Sequence, residues 1–189
     1  MATTLTACGP KEEGQTIEKP DLKVADGHFT AEVLHQMGKV TDIQVSPDGT
    51  QILYGVTYTS IEQNKGVRNL FIMNIDGSGN HQITHFAKSA SNARWIEGGK
   101  RIAFLKEGQI WAMNPDGKKL EQISNYEGGI NEFKISPDEA NILFSTDFKV
   151  GKIGKDVYPD LDKSTARDIE GLMYRHWDHF VENIQHTHL

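Results

Sequence analysis

Asn74-Ile75-Asp76-Gly77, followed by Gln82-Ile83-Thr84, returns forty residues later as Asn114-Pro115-Asp116-Gly117, followed by Gln122-Ile123-Ser124. Ile102 and Ile142 keep the same separation. Val45-Ser46-Pro47-Asp48 is matched by Ile135-Ser136-Pro137-Asp138, and the turn from Trp95 to Gly99 occupies the equivalent place in the middle unit. Each unit reads as four short strands, at about 92–96, 101–106, 109–114 and 120–124 in the middle one. Self-similarity at a period of ~40–45 residues, with four strands per period, is the signature of a propeller blade. Such a strand is too short to stand alone, and a blade buries its faces only against neighbouring blades.

Working outward, the repeats fall at about 40–85, 90–125 and 130–189. Ile52 and Ile102 are fifty residues apart, and the surplus lies around Thr59 to Val67, between the second and third strands. The middle unit closes the same hairpin with Glu107-Gly108. The third unit opens it widely, first with Lys149 to Lys163, whose Lys149, Lys152 and Lys155 read as a solvated loop. A long amphipathic helix is then expected over 164–184. Ser164 or Thr165 caps it, Thr165 and Asp168 form a capping-box pattern, and Ile169, Leu172, Met173, Trp177, Phe180, Val181 and Ile184 form its stripe. Trp177 is expected in the core. Hairpins between second and third strands emerge on one face of a propeller, so both insertions are expected there. The third strand of the last unit is expected from His186. The fold class is therefore all-β: an incomplete β-propeller of about three four-stranded blades, with a short N-terminal helix and a long inserted C-terminal helix. Propellers close with roughly 4–8 blades, so three leave edges open.

Upstream of the repeats, Thr30 is placed to cap a short helix with Val33, Leu34 and Met37 as its stripe, ended by Gly38. Residues 9–27 are polar and read as a flexible linker. The chain of 189 residues carries a net charge of −6 with a pI near 5.7, which argues against nucleic-acid binding. No stretch approaches the ~20 apolar residues of a spanning helix. The single cysteine excludes an internal disulfide and a multi-thiolate zinc site. Leu5-Thr6-Ala7-Cys8-Gly9 resembles the bacterial lipobox, with residues 1–8 as the remnant of a lipoprotein signal that lacks a basic and a full apolar region. That resemblance implies lipid on Cys8, a location in the bacterial cell envelope, and contact with the membrane only through the anchor. The other reading is a chance cysteine in an unstructured terminus.

The Ser-Pro-Asp-Gly and Asn-x-Asp-Gly turns resemble those of TolB-like propellers. Three further stretches narrow the likeness. Val40-Thr41-Asp42-Ile43-Gln44-Val45-Ser46-Pro47-Asp48-Gly49 after a helix, Tyr54-Gly55-Val56-Thr57-Tyr58 leading to Lys65-Gly66, and Leu172-Met173-Tyr174-Arg175-His176-Trp177-Asp178 are similar to prolyl oligopeptidase family serine peptidases of the dipeptidyl-peptidase V, or acylaminoacyl-peptidase-like, branch. The resemblance implies a longer chain, in which a propeller caps an α/β-hydrolase domain with a Ser-Asp-His triad and restricts access to oligopeptides. No Gly-x-Ser-x-Gly elbow occurs in this sequence, so no catalytic residue is assigned.

His176 and His179 stand one helical turn apart and His186 and His188 share a strand face, but no acidic or thiol partner has metal-site spacing. No metal and no cofactor are expected. Substrate-binding interest falls on Arg175, Trp177, Asp178 and Glu182. A dipeptidyl peptidase has to recognise a free α-amine, and carboxylates do so by charge-assisted hydrogen bonds. Asp178 and Glu182, four apart on the expected helix, are placed to act together; the other reading is a solvated polar face. The expected function is the non-catalytic propeller portion of an exported serine exopeptidase that gates and helps bind oligopeptides. The alternative is a TolB-like protein- or ligand-binding propeller of the envelope.

Overall fold

The repeated Ser-Pro-Asp and Asn-x-Asp segments make one local device. In each, a carboxylate accepts from the backbone two residues on, which closes the turn without help from elsewhere. In a computed structural model describing residues 16–161, 163–167, 169, 171, 175–177, 179–180 and 184–188, Asp48 Oδ1 accepts from Thr50 N at 3.1 Å and from Ser46 Oγ at 2.6 Å. Asp76 and Asp116 accept from Ser78 N at 2.9 Å and Lys118 N at 3.0 Å. Asp138 accepts from Ala140 N at 3.1 Å. The Ser46, Ser78 and Ser136 hydroxyls, with these backbone groups, hold the carboxyls of Asp48, Asp76 and Asp138 below their ordinary range. Gly77 and Gly117 follow at φ 83° and 77° and donate to Asn74 O and Asn114 O, both at 2.9 Å.

The chain divides into two units, Met1–Ser124 and Asn125–Leu189. In the first, helix α1 (Ala31–Gln36) is capped by Thr30, whose Oγ1 accepts from Val33 N at 3.3 Å. Two four-stranded antiparallel sheets follow. One has β1 (Lys39–Val45), β2 (Gln51–Ser60), β3 (Lys65–Asn74) and β4 (His81–Gln82); the other has β5 (Ala90–Ile96), β6 (Arg101–Lys106), β7 (Gln109–Met113) and β8 (Glu121–Gln122), each paired in chain order. The second and third strands of the first sheet are ten residues each, so the surplus lengthens their hairpin. The β6–β7 hairpin turns on Glu107 and Gly108, at φ 52° and 70°, a pair of positive values that matches the strand twist.

The Gln-Ile-Thr and Gln-Ile-Ser repeats prove to be a strand lock. Thr84 Oγ1 accepts from Leu70 N at 2.8 Å and donates to Asn69 Oδ1 at 2.9 Å. Forty residues on, Ser124 Oγ accepts from Ile110 N at 2.7 Å and donates to Gln109 Oε1 at 2.8 Å. Gln82 and Gln122 each donate to the carbonyl two residues ahead at 2.6 Å. The hydroxyl thus takes the place of a carbonyl where the outer strand leaves the ladder.

The core lies between these two sheets. Leu53, Leu70 and Ile72 of the first meet Ala90, Ala93, Ile102, Phe104 and Met113 of the second. Phe104, Leu53, Leu70 and Ile102 are 0 % exposed, and each contributes roughly 1.5–3 kcal/mol by burial. The first strands are stitched at a bulge. Asp42 (φ 54°) and Asn92 (φ 52°) interrupt the two registers at equivalent points, and short polar residues tolerate that conformation best. Asp42 Oδ2 then accepts from Arg68 Nη1 at 2.9 Å and from Asn92 N at 3.1 Å. Ile17, inside the stretch read as a linker, is buried at 7 % exposed.

The second unit holds β9 (Glu132–Ile135), β10 (Ile142–Lys149), the short helix α2 (Gly154–Val157), the two-stranded ladder of β11 (Arg175–His176) with β12 (His179–Phe180), and β13 (Ile184–His188). Its main sheet is ordered β13-β10-β9. Phe133 is buried, and Tyr126 meets Phe144 edge-on at 5.1 Å. Lys149 is paired with Asp156 at 2.7 Å.

Two expectations are corrected here. No described residue between 164 and 184 is helical. Arg175 pairs with Phe180 and His176 with His179, and Trp177 between them has φ 54°, which a right-handed helix does not admit. Trp177 is also 87 % exposed rather than in the core. An apolar stripe at helical spacing makes a helix only when a surface receives it. This stretch is also rich in aromatic and β-branched residues, which favour strands, and it carries Gly171.

Candidate functional site

The insertion between β10 and β13 carries the residues singled out from sequence. Lys149 pairs with Ile184 and Phe148 with Gln185, so these two strands bring its ends together. Arg175 is exposed, and its guanidinium lies 5.6 Å from the Phe180 ring centre. Arg167 lies over the same ring at 4.7 Å. The ring quadrupole attracts both cations, so Phe180 organises two guanidiniums on the hairpin whose turn carries the exposed Trp177. Such a surface presents directed N–H donors and a flat apolar face together. Asp178, Glu182 and Cys8 lie outside the described residues, as do the side chains of His176, His179, His186 and His188.

Sequence reasoning chose Arg175 and Trp177 but missed Arg167 and Phe180 as members of this group. Phe180 was assigned to a helical stripe. As one half of a short ladder it is instead the platform on which Arg175, its direct cross-strand partner, rests.

In the first unit, the equivalent hairpins are built differently. Lys106 at the end of β6 is 6 % exposed and lies 4.8 Å from Trp111 and 5.2 Å from Phe86 ring centres. Its charge is met by Glu107 Oε2 at 3.1 Å, and Lys88 binds the other oxygen. Lys88 and Lys106 together hold the Glu107 carboxyl below its ordinary range. At the β2–β3 tip, Ile17, Pro20 and Ile61 with Glu18, Glu62 and Gln36 line a cavity of about 460 Å³.

No protein-family model matches the chain. Dipeptidyl-peptidase 5 of Porphyromonas gingivalis is 47% identical over 163 residues, which is 84% of this chain and 24% of that protein. Dipeptidyl-peptidase 5 of Porphyromonas endodontalis is 40% identical over the same length and the same shares. The chain thus spans about a quarter of the length of the curated relatives it matches. Among solved structures, an acylaminoacyl peptidase in complex with Z-Gly-Gly-Phe-chloromethyl ketone superposes with a TM-score of 0.59 at 16% identity, over 82% of this chain and 23% of that one. At that identity the likeness concerns the fold. Over 163 residues the chain is thus similar in sequence to two dipeptidyl peptidases, and its fold is that of a β-propeller segment.

Proposed function

We propose that the chain is the non-catalytic propeller portion of an exported dipeptidyl peptidase, where it gates and helps bind oligopeptide substrates. The observation that carries this reading is the 47% identity over 163 residues to Dipeptidyl-peptidase 5. The chemistry belongs to a further α/β-hydrolase domain, since the sequence holds no Gly-x-Ser-x-Gly elbow. Arg175 and Trp177, on the exposed hairpin, contact the peptide, and Asp178 and Glu182 bind its free α-amine. Cys8 carries a lipid anchor that holds the enzyme in the cell envelope.

The test uses the full-length peptidase that carries this segment. Asp178→Asn and Glu182→Gln are compared on dipeptidyl substrates with free and with blocked N-termini. A charge-assisted hydrogen bond contributes roughly 1.5–3 kcal/mol, so kcat/KM on the free amine is expected to fall about ten- to a hundredfold. Equal kinetics on both substrates would return the two carboxylates to an ordinary solvated surface. Wild-type protein that releases no dipeptide from any peptide would end the peptidase reading itself.

A further inference from the structure

The first unit has three arginines, and two of them are met by carboxylates. Arg68 binds Asp42 at 2.9 Å, and Arg101 binds Glu121 at 2.7 Å. Arg94, on β5, has no carboxylate partner among the described residues. It is half-buried at the edge where β5 runs beside β1. With its amide oxygen turned toward the guanidinium, Gln44 accepts from Arg94 Nη1 at 2.6 Å and Nε at 3.3 Å. Ala93 O accepts from Nη1 at 2.9 Å.

These bonds engage three of the five guanidinium N–H groups and leave the two on Nη2 open. All the acceptors are neutral, so they fix the plane of the group without compensating its charge. A partly desolvated cation without a counter-charge is costly, and a guanidinium held in a fixed plane is suited to an incoming carboxylate. The register shows that this position is cationic more than once. Gln44, Arg94 and Lys134 pair with Leu53, Ala103 and Leu143 in their own sheets and are therefore equivalent. None of the three repeats places an acid there.

We propose that Arg94 is a carboxylate-binding residue that takes the C-terminal carboxylate of an oligopeptide substrate. The identity of the ligand rests on the function proposed above. Every oligopeptide carries this anion at the end remote from the amine, whatever its side chains.

The experiment uses the full-length peptidase and one hexapeptide, prepared as the free acid and as the C-terminal amide. Wild type is expected to favour the acid about tenfold in kcat/KM, the share expected of one charged hydrogen bond. In Arg94→Gln the acid-to-amide ratio is expected to fall to about one, and Arg94→Lys is expected to keep part of the preference. A ratio measured within one sample cancels the fraction of folded enzyme. No acid preference in wild type, or the same ratio in Arg94→Gln, would overturn the site. Binding of a fluorescent, N-blocked version of both peptides separates this from the peptidase reading. If wild type releases no dipeptide, that reading fails, while an acid preference in binding that Arg94→Gln abolishes still sustains the site; equal binding of acid and amide overturns it.

Discussion

At the scale of single residues, the hydroxyls of Thr84 and Ser124 do the work of carbonyls. Each accepts a third-strand N–H at the point where the fourth strand ends. Thr84 is 3 % exposed and Leu70, whose N–H it takes, is 0 % exposed, so no water replaces the bond. Thr84→Val keeps the shape and removes the acceptor. It is expected to destabilise by about 1–3 kcal/mol, the desolvation penalty of a buried orphan N–H, whereas Thr84→Ser is expected to retain most of the stability. Urea unfolding midpoints of the two variants, compared in the full-length protein that carries this segment, provide the check. A Thr84→Val midpoint equal to that of the wild type would show that the hydrogen bond contributes nothing.

At the scale of elements, the β11–β12 hairpin and the central strand β6 are opposites. Trp177 stands on a turn with 87 % of its surface exposed, while Phe104 in β6 is 0 % exposed and faces the first sheet. Phe104→Ala is therefore expected to cost about 3–5 kcal/mol, and Trp177→Ala no more than about 0.5 kcal/mol. Thermal unfolding of the two variants side by side distinguishes them, and a large loss for Trp177→Ala would restore that side chain to a packed setting. Of the candidate site, Arg175 and Trp177 are legible in the sequence as residue types, while Asp178 and Glu182 lie outside the described residues. The arrangement of the first two was not legible, because Phe180, spaced for a helical stripe with Trp177, pairs across a two-stranded ladder with Arg175 instead. The capping pattern at Thr165 reinforced the same misreading, since local signals of this kind cost nothing until a packing surface decides between them.

At the scale of the whole molecule, the first sheet is covered on one side by the second, and part of its other side stays open. Val40, Ile43 and Val45 of β1 are 53, 66 and 54 % exposed. Repeated blades gain stability from their neighbours, and this stripe on β1 is apolar and exposed. The proposed anchor acts at the same scale, since Cys8 would tether every domain of the enzyme at once. In bacteria that produce the protein behind a lipoprotein signal peptide, a fatty-acid probe is expected to label it, and Cys8→Ser is expected to abolish the labelling. Labelling that persists in the variant would remove Cys8 from the proposal.

The sequence by itself determined the blade repeat, its four-strand order and its turns. These features are bonded locally: a carboxylate to the backbone two residues on, a glycine at positive φ, a hydroxyl at a strand end. Only the tertiary structure decided the conformation of the insertion, the exposure of Trp177, the stacking of Arg167 and Arg175 on Phe180, and the meeting of Gln44 with Arg94. Phe148 and Gln185 are partners across thirty-seven residues, and Gln44 and Arg94 across fifty. Periodicity within a segment carries no record of the strand or side chain that arrives from so far along the chain.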